Sequence, residues 1–157
     1  MNKTTLIKGC QLHIKDFDSL TKQELYDLLH IRSEVFIVEQ QCVYQDLDYT
    51  DQKSLHLWLT YEDKIVAMCR ICPQNTKMEE LSIGRVISTE RGKGYGKIVV
   101  EAAIETAVTL NANLKFIDIE AQLTKQLFYE KIGFTAISEP FMMEGLLHLH
   151  MRYKVVQ

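Results

Sequence analysis

The sequence predicts a mixed α/β fold of one domain, residues 1–157, and three observations carry that prediction. An apolar strand, Leu81 to Ile87, runs into a loop with glycines at 92, 94 and 96, and the loop feeds a stretch of helical periodicity. Elsewhere, short apolar runs of strand length are interrupted by two further helical stretches. The chain of 157 residues, 46% hydrophobic and 25% charged, is long enough for one substantial core.

In chain order, residues 1–10 read as a frayed or weakly paired start, and Leu12, Ile14 and Phe17 suggest a first strand. Thr21-Lys22-Gln23-Glu24 spells a capping box, in which the Thr21 hydroxyl accepts from Glu24 N–H and Glu24 reaches back. A helix follows, with Leu25, Leu28, Leu29, Arg32 and Val35 on or near one face. Residues 36–53 show little periodicity. Glu39, Asp46, Asp48 and Asp51 make them acidic, either a solvated loop or a lid for a cationic amine.

Leu55, Leu57 and Leu59 alternate with His56, Trp58 and Thr60 as a strand, and Ile65 to Cys72 is its expected hairpin partner after the Glu62-Asp63-Lys64 turn. Pro73 ends that strand. After Leu81–Ile87 and the glycine loop, Ile98, Val99, Ala102, Ala103, Thr106, Ala107 and Leu110 recur at helical spacing. Leu114–Ile119 is a mostly buried strand. Gln122–Ile132 is a helix with Leu123, Leu127, Phe128 and Ile132 on the core face, and Gly133 fits its C-cap. Phe134–Ser138 and Leu146–Val155 are the last two strands.

Composition excludes several functions. A net charge of −3 gives no case for generic nucleic-acid binding. No apolar run approaches the roughly 20 residues of a membrane span, and the N-terminus lacks a signal-peptide pattern. A cytoplasmic protein, monomer or homodimer, is expected. In that compartment Cys10, Cys42, Cys69 and Cys72 are expected to stay reduced. Cys69 and Cys72 form a C-x-x-C, but strand positions three apart face opposite sides, and no second pair completes a zinc site. No metal is expected.

The glycine loop is the chemically informative stretch. Free N–H groups at a helix start, with the positive end of the helix dipole, bind anions. Glycines let the backbone approach closely, and Arg91, Lys93 and Lys97 add positive charge. The ligand this implies is a phosphate or pyrophosphate. A dinucleotide fingerprint fails, because its third glycine falls on Lys97 or Val99; the Walker pattern fails because Ile98 follows Gly96-Lys97.

Arg91-Gly92-Lys93-Gly94-Tyr95-Gly96 does fit R/Q-x-x-G-x-G/A, and Phe128-Tyr129-Glu130-Lys131-Ile132-Gly133-Phe134 fits F-Y-x-x-x-G-F. In these two motifs the chain resembles the GNAT N-acetyltransferase superfamily. Val35 to Gln40, Tyr44 to Asp48, Ile83 to Val86 and His148 are similar to its ElaA-like branch, a likeness covering nearly the whole chain from about residue 12. The resemblance implies the α/β GNAT fold: a mixed, mostly antiparallel sheet of six to seven strands flanked by helices, with a V-shaped splay after the central strand.

It also implies an acyltransferase that uses acetyl-CoA and a primary amine of a small molecule or peptide. Arg91, Gly92, Lys93, Gly94, Tyr95, Gly96 and Lys97 would hold the pyrophosphate. Val86 and Ser88 would pair with the pantetheine arm, and Val86 N–H would serve the oxyanion. Gln122 stands where the family often carries asparagine. Tyr129 matches the tyrosine that donates to the departing thiolate. Glu39, Gln40, His56 and His148 fall on the acceptor side. The general base stays open among Glu80, Glu39, His56, Glu120, His148 and a water chain. Arg70 and Arg85 match ElaA-like positions, and a buried arginine must be paired, with Glu39 or an aspartate of the acidic loop. That loop suggests a positively charged acceptor. The alternatives are a non-catalytic acyl-CoA sensor of the same fold and a phosphate-binding module of another fold.

Overall fold

A computed structural model describes residues 1–156. The chain opens with a hairpin of β1 (Asn2–Ile7) and β2 (Cys10–Asp16), running from Asn2 opposite Lys15 to Ile7 opposite Cys10. Of the two expected alternatives, a frayed or a weakly paired start, the structure has the paired one, over residues 2–7. Their sequence hides this because β1 has no buried face: residues 2–6 are all exposed. Its ladder and an ion pair between the Met1 ammonium and Asp16 hold it, not hydrophobic burial.

α1 (Lys22–Arg32) starts at the expected capping box, with Glu24 N–H donating to Thr21 Oγ1 at 3.1 Å and Thr21 N–H donating to Glu24 Oε2 at 2.9 Å. Its axis continues into a π-helical stretch, Ser33–Glu39, where the wider turn re-aims the side chains. Leu28 and Arg32 are the buried residues of α1.

β3 (Leu55–Tyr61), β4 (Lys64–Cys72) and β5 (Ser82–Ser88) follow as antiparallel neighbours. Leu57, Leu59, Cys69 and Ile83 join the core under α2 (Tyr95–Leu110), which buries Val99, Val100, Ala103 and Ala107 there. Trp58, Met68 and Ile87 cluster with Leu28 of α1 on the other side. With both faces covered, β3 and β4 are buried along most of their length. Each fully buried leucine here contributes about 1.5–3 kcal/mol.

α2 leads to β6 (Phe116–Gln122), which lies parallel to β5. Among the described residues these two strands share one register pair, Ser82 with Asp118, supported by Asp118 N–H donating to the Leu81 carbonyl at 2.9 Å. Beyond it they diverge, which is the expected V-shaped splay. After β6 come a 3-10 turn, Leu123–Lys125, and α3 (Gln126–Glu130). The chain ends in β7 (Phe134–Ala136), β8 (Phe141–Met143) and β9 (Leu146–Lys154). β9 pairs with β6, β7 and β8.

The sheet has nine strands among the described residues, in the order β1-β2-β3-β4-β5-β6-β9-β7 with β8 off β9. The expectation of six to seven omitted β1, which has no buried face, and β8, which is only three residues long. The expected helix over 122–132 is also shorter, and its phase differs. Leu127 is 71% exposed and Tyr129 only 9%, because the segment begins as a 3-10 turn with three residues per turn. No helix among the described residues is long and apolar enough to cross a membrane.

Gly133 adopts φ 112°, and a Cβ there would sit 3.1 Å from the Tyr153 ring. Gly133→Ala is therefore expected to lower stability by about 1–3 kcal/mol, read as a fall in urea midpoint at constant m-value. An unchanged midpoint would show that the backbone there is not constrained.

Candidate active site

The diverging ends of β5 and β6 open a cleft of about 620 Å³. Three local features shape it. The first is the loop ahead of α2. Gly92 and Gly94 adopt φ 78° and 80°, values that side chains disfavour. Gly94 caps α2 without any side-chain cap, and the first intrahelical donor is Ile98 N–H, to the Gly94 carbonyl at 3.2 Å. The N–H groups just ahead of it have no intrahelical partner. Gly96 keeps this turn close to its neighbours: a Cβ would lie 3.6 Å from both the Phe128 ring and Ser88.

Arg91, Gly92, Gly94, Gly96 and Lys97 line the cleft. Lys93 and Tyr95 are not in its wall. Lys93 Nζ lies 3.8 Å from Glu90, and the Tyr95 ring lies 6.3 Å from that of Tyr61. These two residues can offer the cleft main chain only.

The second feature is a β-bulge. Register steps from Met68 opposite Ile87 to Arg70 opposite Gly84, so Arg85 and Val86 together face Cys69. Arg85 is held at φ 53°, an uncommon value for a residue with a side chain. The bulge takes Val86 out of the ladder, and Val86 and Ser88 both line the cleft.

The third feature is the β6–α3–β9 wall. Tyr129 lines the cleft although it is 9% exposed and packs edge-on to Phe128 and Phe134 at 4.9 and 5.8 Å. Its hydroxyl has no hydrogen-bond partner among the described residues. Burial, then the nearby Cys69 thiol, push its phenol up. His148 also lines the cleft, with Nδ1 2.9 Å from the Leu146 carbonyl. That carbonyl can only accept, so it fixes the proton on Nδ1 and leaves Nε2 as an acceptor. Gln122 Nε2 donates to Gln40 Oε1 at 3.0 Å, joining an expected cofactor contact to an expected acceptor contact.

Two expected acceptor residues are placed elsewhere. Glu39 is not in the cleft wall and pairs with Arg91 of the glycine loop. His56 is 2% exposed, lies outside the cleft wall, and its Nε2 donates to the Asp51 carbonyl at 3.0 Å. The alternation of β3 put His56 on a face that the sequence left open, and α1 and the acidic loop cover that face.

The acidic loop is likewise not a lid for a cation. Arg32 Nε and Nη1 donate to Asp46 and Asp51 at 2.9 and 2.7 Å. Arg70 holds Asp48 through Nη1 and Nη2 at 2.9 Å and shares Asp51. Arg85 Nε is 2.7 Å from Asp46 Oδ1, close enough for an ion pair although its N–H is off the oxygen's line. None of the three aspartates lines the cleft, so they offer no subsite for an amine. Sequence reasoning anticipated an arginine clamp but did not place it. The signal was the run Asp46, Asp48, Asp51 alongside arginines on otherwise apolar elements. It also passed over Phe36, Tyr44, Lys77 and Glu144 as cleft residues.

Comparisons with known proteins agree with this geometry. Residues 17–155 match the acetyltransferase (GNAT) domain. Protein ElaA of Escherichia coli is 35% identical over 142 residues, covering 88% of this chain and 92% of that one. Its crystal structure superposes with a TM-score of 0.84 at 31% identity, over 92% of this chain and 99% of that chain. An acyl-CoA N-acyltransferase from Pseudomonas aeruginosa superposes with a TM-score of 0.83 at 32% identity, over 90% and 98%.

Burial opposes ionisation of Asp48 and Asp51, but hydrogen bonds and charge from Arg70 and Arg32 outweigh it and hold both carboxyls low. Groups depressed in this way stabilise the fold above their unfolded pKa, near 4, and that contribution is lost as pH falls further. Burial also pushes the His56 imidazole down, and that of His13 with it. Folding thus favours the neutral rings, a contribution present above about pH 6.5 and lost as pH falls below it. The melting temperature is expected to decline in two limbs, one below about pH 6.5 and one below about pH 4. His56→Gln should flatten the upper limb. A wild-type melting temperature that is level from neutrality down to the carboxylate range would contradict the imidazole assignment.

Proposed function

The chain belongs to the GNAT acetyltransferase family, and from that premise we propose that it moves an acetyl group from acetyl-CoA to a primary amine by direct attack on the thioester. The observation that carries this reading is a juxtaposition. The uncapped start of α2 and the splayed ends of β5 and β6 open on one cleft. The description of the P. aeruginosa relative as an acyl-CoA N-acyltransferase supports it.

The residues present fit the coenzyme. Positive φ at Gly92 and Gly94 turns the loop toward the cleft, and the unpartnered N–H groups with Arg91 and Lys97 suit a diphosphate. Val86 and Ser88 offer main chain along β5 to the pantetheine arm, as an added strand would require. The coenzyme supplies the activated acyl group. Val86 N–H, set out of register by the bulge, donates to the carbonyl oxygen as charge develops there.

His148 Nε2 would accept the proton that the amine must lose; the C–N bond forms as the carbonyl electron pair moves to oxygen, and its return breaks the C–S bond. Tyr129 then hydrogen-bonds the departing thiolate. With its pKa raised, the phenol keeps its proton at neutral pH and acts as a donor, while the thiolate takes its own proton from solvent.

Two measurements test the proposal. Acetyl-CoA at a hundredfold excess over Kd should stabilise the protein by about 2.7 kcal/mol. Tyr129→Phe, which preserves the ring packing, should lower kcat by about 100-fold with little change in the KM for acetyl-CoA. Coenzyme binding with no amine acetylated would favour the sensor; an unchanged kcat would remove Tyr129 from the mechanism.

A further inference from the structure

We propose that the acceptor end of the cleft takes a zwitterion: an amino-carboxylic acid with its carboxylate at Arg85 and Lys77 and its amine toward Glu120. This rests on the acetyl-transfer reading and names the class of acceptor within it. Opposite charges stand on the two walls. Arg85 comes from the bulge of β5 and Lys77 from the turn before β5; Glu120 comes from β6 and Glu144 from the turn between β8 and β9. Because β5 and β6 splay apart, Arg85 and Lys77 belong to one arm of the V and Glu120 and Glu144 to the other, where Lys125 and Lys131 also line the cleft.

The charge cluster behind this wall is net positive despite the acidic loop, once Arg32, buried outside the cleft lining, is counted. Arg32, Arg70, Arg85 and Lys77 meet Asp46, Asp48 and Asp51, four positive groups against three negative ones. The aspartates sit behind the arginines, outside the cleft wall. Arg85 Nη2 donates to the Asp46 carbonyl at 2.9 Å and lies 3.5 Å from Asp48 Oδ2, and its Nε is engaged with Asp46 Oδ1. Arg85 Nη1 has no partner among the described residues, and it is not among the buried polar atoms lacking one. Phe36 and Tyr44 lie 6.0 and 5.9 Å from the guanidinium carbon and fix its orientation. With one edge held by protein, the guanidinium keeps Nη1 for a single charge-assisted hydrogen bond to a carboxylate. Lys77 Nζ, 3.7 Å from Asp48 and on a side chain 41% exposed, can turn to a second oxygen.

The backbone agrees. Arg85 is the residue kept at φ 53° in the bulge, an unfavourable conformation that directly precedes Val86. The same bulge therefore sets both the oxyanion donor and the carboxylate clamp. On the other arm Glu120, 24% exposed and 3.4 Å from His150, offers an anion to an ammonium group before it loses its proton. A diamine of matching length would push its second ammonium against Arg85 and Lys77, so the arrangement also rejects polyamines.

The test uses the full chain with acetyl-CoA and acceptors in matched sets. Glycine, other α-amino acids and ω-amino acids of graded length are each compared with their carboxamide and with a diamine of equal length. For the best acid, kcat/KM should exceed that of its amide and diamine by about tenfold or more. Lys77→Glu should raise KM for the acid by about tenfold and leave the amide unaffected, a split that general damage to the fold would not give. Equal or faster turnover of amides or diamines overturns the proposal, as does a Lys77→Glu effect shared by acid and amide. If acetyl-CoA stabilises the protein but no acid outpaces its amide, the zwitterion reading falls alone. If acetyl-CoA does not stabilise the protein, the acetyl-transfer reading falls first.

Discussion

β5 and β6 touch through Ser82 and Asp118 and then part, and the rest of the site depends on that parting. Each strand satisfies most of its ladder on its outer side, β5 against β4 and β6 against β9. The inner edges can then separate without stranding buried polar groups in the core, because the edges line a cleft. Asp118 helps to hold the closed end. Its carboxylate takes two hydrogen bonds from Arg152 at 2.7 Å, and its N–H reaches the Leu81 carbonyl. A sheet paired along this whole seam would leave no room for a ligand beside the start of α2.

One arm of the V is braced by buried charge. Arg32 of α1, Arg70 of β4 and Arg85 of β5 converge on Asp46, Asp48 and Asp51, tying three separate elements to one irregular loop. Removing one partner from such a buried pair typically costs about 3–5 kcal/mol, because the other charge is left unpaired. The network is therefore better understood as fixing the loop and the bulge than as adding net stability. Its imperfection is consistent with that: Arg70 Nε is buried without a partner. The geometry of Val86 and Arg85 is what this bracing maintains.

The other arm carries a hydrogen-bond donor, Tyr129, and an imidazole, His148. Tyr129 is packed between Phe128 and Phe134, yet its ring reaches the cleft wall. His148 has its tautomer fixed by a main-chain carbonyl two residues away. Both owe their placement to β9 and α3 rather than to the glycine loop. In the proposed mechanism, coenzyme grip and acyl-transfer chemistry fall to different parts of the chain, and the splay brings them together.

Much of this was present in the amino-acid order alone. The glycine loop, the capping box at Thr21, the periodicity of α2 and the apolar runs of β3 to β6 are local patterns, and local patterns survive in one dimension. Gly92 and Gly94 mark backbone turns that side chains disfavour, so their meaning could be read directly. The tertiary structure alone decided the fate of the charged and aromatic residues. Asp46, Asp48 and Asp51 could have faced an amine, but distant arginines claim them. His56 and Tyr129 are each on a plausible face until α1 and the 3-10 turn before α3 settle which face is covered. The order of residues fixes which groups a segment can offer; which neighbour takes up each offer depends on contacts between segments far apart in the chain, where sequence spacing carries no distance.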